Sequence, residues 1–180
     1  VVASSNAQSQ VLFQDLLSNE QLRVYRSNDV IGVASGGIVK NIMAIAAGCC
    51  DALELGVNSK SSLITRGLRE MIEFGKSLGA QTETFYGLSG LGDLMATSFS
   101  SLSRNYQCGY ALGKGKTAAE FETSLTTVAE GIQSTRFIYK YSREGHISMP
   151  ITEMVYNVLC ESISIEDAIT QLMTRDLKSE

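Results

Sequence analysis

The chain has 180 residues and a mass of 19.5 kDa, enough for one domain, or one domain and part of another, around a sizeable core. With 44% hydrophobic and 19% charged residues and a mean hydropathy of +0.04, it is too apolar for a disordered tail and too interrupted for a membrane protein. A net charge of −4 with no cluster of Lys and Arg excludes a surface built to neutralise phosphate backbone, so no nucleic-acid partner is expected.

The sequence starts Val1-Val2-Ala3, as if inside a β-strand. A helical pattern through Val11, Leu12, Asp15 and Leu16 follows, ending near Ser18-Asn19, and then an alternating strand candidate from Leu22 to Arg26. Residues 1–34 therefore read as one βαβ-like unit. A lone parallel pair cannot cover its own faces, so the unit calls for a larger sheet. Ser35-Gly36-Gly37 marks a change of character. From there to the end, residues 35–180, the periodic segments are helical, as a single proline among 16 glycines already suggests.

The first helix is expected from Ile38 to about Leu55, apolar nearly all round and so central. The second is expected after Asn58-Ser59, with Leu63, Ile64, Gly67, Leu68, Met71, Ile72 and Leu78 on its core side, Arg69 and Glu73 paired, and Gly79 as its stop. Thr97 to Ser103 reads as a serine-rich active-site loop. Capping boxes are expected at Thr117–Glu120 and Ser164–Asp167, a helix from Gly131 to Arg143 ending at Gly145, and another opened by Pro150. No apolar stretch is read as reaching the ~18 residues of a membrane span, and no leader peptide is read at the start. Cys49, Cys50, Cys108 and Cys160 form no metal or disulfide pattern, which points to a reducing compartment and a cytoplasmic location, an organelle such as a plastid remaining open.

Lys40 is the most informative position. Between Gly36 and Cys50 only Lys40 and Asn41 are polar, at what reads as the start of a buried helix. Desolvation and the positive helix terminus, worth about 0.3–1 kcal/mol, both disfavour an ammonium there. Such a lysine is paired with a carboxylate, poised as a general base, or snorkelling to solvent. Asp93, among glycines and apolar residues after Gly90-Leu91-Gly92, is its natural partner if buried; otherwise Gly92-Asp93 is an Asx-type turn. Ser103 reads as a helix cap and Arg104 as either an anion clamp or an exposed side chain. Glu130 either meets a ligand or simply opens a helix. Gly115-Lys116-Thr117 is no P-loop, since Tyr110 stands where the first glycine belongs, and His146, the single histidine, reads as a loop residue with no metal set around it.

Six blocks, Gly36 to Asn41, Asn58 to Gly67, Gly87 to Asp93, Leu102 to Asn105, Val128 to Gly131 and Met149 to Thr152, resemble in type and order the NAD(P)-dependent glycerol-3-phosphate dehydrogenases of the bacterial and plastid type. The resemblance implies a mainly α fold: an all-helical substrate domain like the C-terminal domain of 6-phosphogluconate dehydrogenase, preceded by the last α/β elements of a Rossmann domain. It implies interconversion of sn-glycerol 3-phosphate and dihydroxyacetone phosphate with NAD or NADP, supplying phospholipid synthesis, in a homodimer. It assigns Lys40 as proton acceptor with Asp93 beside it. Asn41, Asp93, Thr97, Ser103, Arg104 and Asn105 fall at substrate positions, and Arg104, Val128 and Glu130 at cofactor positions. The G-x-G-x-x-G turn that holds a dinucleotide occurs nowhere in the 180 residues, so the chain is expected to be the C-terminal part of such an enzyme, inactive alone. Two other readings are the helical domain of a different β-hydroxyacid dehydrogenase and a helical dimerisation module without chemistry.

Overall fold

The computed structural model describes residues 1–123, 130–161 and 163–176. Strands β1 (Val2–Ala3) and β2 (Arg26–Ser27) pair in parallel, Val2 opposite Arg26, and α1 (Ala7–Leu17) connects them. Asn6 caps α1 through its side-chain oxygen. The strand expected from Leu22 is present only at its end. Asn19 spends the preceding residues on a turn, accepting from the N–H groups of Gln21 and Leu22, and β1 offers two residues to pair with. No residue of α1 is buried; Leu12 and Leu16 are 63% and 71% exposed.

Helix α2 (Val30–Ala52) is the axis of the fold. Its start lies eight residues before the expected Ile38, and Gly36-Gly37 falls inside it instead of breaking it. The start is fixed by Asp29, whose carboxylate accepts from Gly32 N (2.8 Å), Gln81 N (2.9 Å) and Thr84 Oγ1 (2.6 Å), joining the N-terminus of α2 to a distant stretch. Burial alone would raise this carboxyl's pKa; the three hydrogen bonds outweigh it and hold the group below its ordinary value. The unbroken helix is 23 residues long and on length and composition could cross a bilayer, which corrects the expectation that no stretch is long enough. Here it packs against other helices along its length.

Helix α3 (Gly56–Ser77) starts two residues before the expected cap at Asn58, because Gly56 itself turns the chain with φ +83°. It stops, as expected, at Gly79 (φ +89°), but Leu78, expected on the core side, is the C-cap beyond the last helical turn and is exposed. Arg69 and Glu73, both exposed, make no ion pair among the described residues. Helix α4 (Thr82–Tyr86), a π-helical turn (Leu88–Gly92), α5 (Asp93–Phe99) and α6 (Arg104–Gly113) follow, so the expected serine-rich loop narrows to residues 100–103. Helices α2 and α6 cross at backbone contact: a Cβ on Gly109 would stand 1.8 Å from Ile45 O, and one on Gly48 2.1 Å from Tyr106 O. Only glycine at both positions allows this approach.

The remaining helices are α7 (Ala118–Thr123), α8 (Glu130–Glu144), α9 (Pro150–Cys160) and α10 (Ile165–Met173). The capping box at Thr117 forms in full, with Glu120 N donating to Thr117 Oγ1 (3.2 Å) and Thr117 N to Glu120 Oε2 (2.8 Å), whereas at Ser164 the side chain caps through Asp167 N (3.0 Å) and its hydroxyl donates to Asp167 Oδ2 (2.7 Å). Gly115 (φ +88°) ends α6, and His146 (φ +52°) turns the chain after α8. Ile42, Met43, Ile45, Met71, Phe74, Phe85, Leu94, Ile132 and Ile138 make one core around α2. All four cysteines are free thiols.

Candidate active site

The site is built where the π-helical turn lies on α2. A Cβ on Gly36 would stand 2.7 Å from Ser89 O, and one on Gly90 2.2 Å from Phe85 O. Without a side chain at Gly36 the turn presses onto α2, and without one at Gly90 it folds back on the end of α4. Its wider winding delivers Asp93, the first residue of α5, to the side of α2 that carries Lys40, one turn beyond Gly36. Lys40 Nζ and Asp93 Oδ2 are 2.5 Å apart, their side chains 22% and 38% exposed. Lys40 is the eleventh residue of α2, so the expected helix-terminus effect, confined to the first turn, does not act on it. The carboxylate is what its ammonium meets. One turn further along α5, Thr97 Oγ1 donates to Asp93 O (2.7 Å) and lies 3.4 Å from Asp93 Oδ1.

Beside this pair opens a cavity of about 400 Å³, lined by Asn41, Ala96, Thr97, Ser100, Leu102, Ser103, Arg104, Asn105 and Glu130. Ser103 caps α6, accepting from Tyr106 N (3.3 Å), which leaves Arg104 as the first residue of that helix. A guanidinium beside outward-facing N–H groups is an anion site. Asn105 is buried and its Oδ1 accepts from Gly131 N (2.9 Å), so it also anchors the start of α8 and leaves its Nδ2 for other partners. Asn41 Nδ2 donates to Gly37 O (3.3 Å). Glu130, first residue of α8, faces the same cavity and has no buried role. Val128 lies outside the described residues.

The structure thus brings Asn41, Thr97, Ser103, Arg104, Asn105 and Glu130 to one cavity and sets the Lys40–Asp93 pair at its edge. Ser100 and Leu102 fall inside the stretch read as an active-site loop without being singled out there, and Ala96, one residue before that stretch, carries no signal of its own. Sequence reasoning missed the polar cluster next to that stretch, Asp51, Lys60 and Tyr106, because each looked like one more polar residue on a helix.

Residues 29–170 match the family model of the NAD-dependent glycerol-3-phosphate dehydrogenase C-terminus. The glycerol-3-phosphate dehydrogenase [NAD(P)+] of Trichormus variabilis is 48% identical over all 180 residues, which are 59% of its length. That of Staphylococcus aureus is 45% identical over 181 aligned residues, 54% of its length. The crystal structure of glycerol-3-phosphate dehydrogenase from Coxiella burnetii superposes with a TM-score of 0.92 at 39% identity, covering 96% of this chain and 53% of that one. The fold is that of a helical dehydrogenase C-terminal domain. The chain belongs to the NAD-dependent glycerol-3-phosphate dehydrogenase family and matches its C-terminal domain. It spans a little over half the length of these relatives.

Proposed function

We propose that the full-length gene product interconverts sn-glycerol 3-phosphate and dihydroxyacetone phosphate with NAD or NADP, and that residues 35–180 supply the substrate-binding and proton-handling part. The observation that carries this reading is the Lys40–Asp93 ion pair beside a cavity that Arg104, at a helix start, also lines. A phosphate needs the second feature and a reacting hydroxyl needs the first.

A nicotinamide bound at the site supplies or takes the hydride. The chain's own residues do the rest. Arg104, Ser103 and Asn105 hold the phosphate, with Thr97 and Asn41 along the carbon chain. In ketone reduction the Lys40 ammonium bonds to the carbonyl oxygen and gives it a proton as the carbonyl carbon is reduced. In oxidation the neutral amine takes the hydroxyl proton. Asp93 keeps Nζ in place and balances its charge in the ammonium state. Arg104 and Glu130 fit the cofactor's side of the cavity, whereas the 180 residues contain no G-x-G-x-x-G turn to hold its pyrophosphate. The chain alone is accordingly proposed to be inactive.

Lys40→Ala in the full-length gene product is expected to lower turnover by roughly 10²–10⁴-fold with cofactor affinity retained. Near-normal turnover removes the reading. A substrate panel separates it from other β-hydroxyacid dehydrogenases, and no turnover of glycerol 3-phosphate with either nicotinamide favours a non-catalytic module. A homodimer and a cytoplasmic location belong to the same proposal, the second supported by four free thiols. Sedimentation and fractionation test them.

A further inference from the structure

Next to the segment 100–103, among residues that do not line the cavity, lies a second polar cluster. Lys60, the fifth residue of α3, has a side chain only 7% exposed, and its Nζ is 2.6 Å from Asp51 Oδ2 in the last turn of α2. Tyr106 OH donates to the same oxygen at 2.6 Å. The ammonium also stands over two rings, 4.4 Å from the centroid of Phe99 and 5.1 Å from that of Tyr106. One cation carried by α3 therefore touches α2, α5 and α6.

The two rings are placed with meaning. Phe99 is the last residue of α5 and Tyr106 the third of α6, and they bracket Ser100, Leu102, Ser103 and Arg104, all of which line the cavity. Lys60 itself does not line it; with Asp51 and Phe99 it borders a separate depression of about 460 Å³. A nearly buried ion pair is a poor general stabiliser, because desolvation offsets its attraction. Its value is directional: a charge held by one carboxylate and two ring faces fixes where those groups stand. The Asp51 carboxyl would be raised by burial, yet the bonds from Lys60 and Tyr106 hold it below its ordinary range, so it stays the anion that the cage needs.

We propose that Lys60 is a positioning residue for the phosphate end of the cavity, fixing the spacing of α5 and α6 through Phe99 and Tyr106 without touching the substrate. The proposal rests on reading that cavity as the glycerol-3-phosphate site.

The test compares Lys60→Met, Lys60→Arg and Tyr106→Phe in the full-length gene product by amide hydrogen exchange and by kinetics. Lys60→Met is expected to speed exchange at residues 100–107 about tenfold while residues 39–47 of α2 stay as protected as before. It raises KM for glycerol 3-phosphate about tenfold with kcat within about threefold. Lys60→Arg, which keeps the charge and stacks on rings, restores both. Tyr106→Phe, which removes only the hydroxyl bond to Asp51, shifts both in the same direction by less and serves if Lys60→Met does not fold. Unchanged exchange at 100–107, or a rise spread evenly over all helices with KM unaltered, overturns the proposal. If the unsubstituted protein does not turn over glycerol 3-phosphate, the functional reading falls, and the exchange data, which need no substrate, still decide the role of Lys60.

Discussion

Glu70 in α3 accepts both the backbone N–H (3.1 Å) and the hydroxyl (2.8 Å) of Thr152, and with its other oxygen the N–H of Ile151. A side chain from one helix thus caps the N-terminus of α9, where Pro150 removes one orphan donor and Glu70 satisfies two more. Burial is the dominant influence on this carboxyl and pushes it up to about 7, despite the opposing hydrogen bonds and the charge of Arg175.

A carboxyl raised from 4.5 to about 7 on folding binds more protons in the folded than in the unfolded chain between those values. Its contribution to stability therefore falls as pH rises through that window and is level above it, by up to about 3 kcal/mol. Glu70→Gln turns an amide NH2 toward backbone N–H groups, which costs about 1–3 kcal/mol and removes the slope. Thermal melts of both proteins from pH 4.5 to 8 check this; parallel profiles contradict it.

Asp29 carries the opposite sign. Its carboxyl is lowered, so the stability it contributes is present above its ordinary value of 3.8 and is lost as pH falls below that. Asp29→Ala removes the cap of α2 and leaves Gln81 N and Thr84 Oγ1 without their acceptor, a loss of roughly 2–3 kcal/mol. Denaturant titration at pH 7 measures it. A loss under about half a kcal/mol would show that water replaces the carboxylate at no cost.

Adjacent glycines are expected to answer oppositely. Gly36→Ala drives a methyl against Ser89 O and lifts the π-helical turn, moving Asp93 from Lys40; it should lose about 1–3 kcal/mol of stability and most turnover. A Cβ on Gly37 meets nothing within 4 Å, so Gly37→Ala should hold or raise the melting temperature, alanine being better in a helix by up to about 1 kcal/mol. Equal effects from the two substitutions would mean that close packing at Gly36 is not what places Asp93.

Arg104→Lys keeps a positive charge at the start of α6 and loses the planar fork. KM for glycerol 3-phosphate should rise about tenfold or more, with a smaller change in kcat, if the guanidinium grips phosphate with two bonds. A lysine variant with unaltered KM argues for a simple point charge.

Much of this molecule was legible because its signals are local. The caps at Thr117 and Ser164, the stop at Gly79 and the Pro150 start each depend on a few neighbouring residues and stand where expected. Asp93 stands out in the sequence as a candidate partner for Lys40 because two charges in apolar settings have few others, and the ion pair forms. Gly36-Gly37 misled because glycine marks both a break and a close contact, and only the position of Ser89 tells them apart. Asp29, Glu70 and Lys60 were hidden for a related reason. Each acts on partners that the sequence sets far away or on another helix, and as letters they are ordinary polar residues.

Helix α2 holds a regularity that its hydrogen bonds only hint at. Lys40 comes eleven residues after Asp29 and eleven before Asp51, and eleven residues make about three turns, so the three lie in nearly the same angular position. Along that line Asp29 meets α4, Lys40 meets α5, and Asp51 meets Tyr106 of α6. The helix works as a ruler with three marks. A single residue inserted between Lys40 and Asp51 would swing the last mark round by about 100° and detach α6 from the rest of the site. Elsewhere the chain can change length in its loops; within this helix, phase fixes the count.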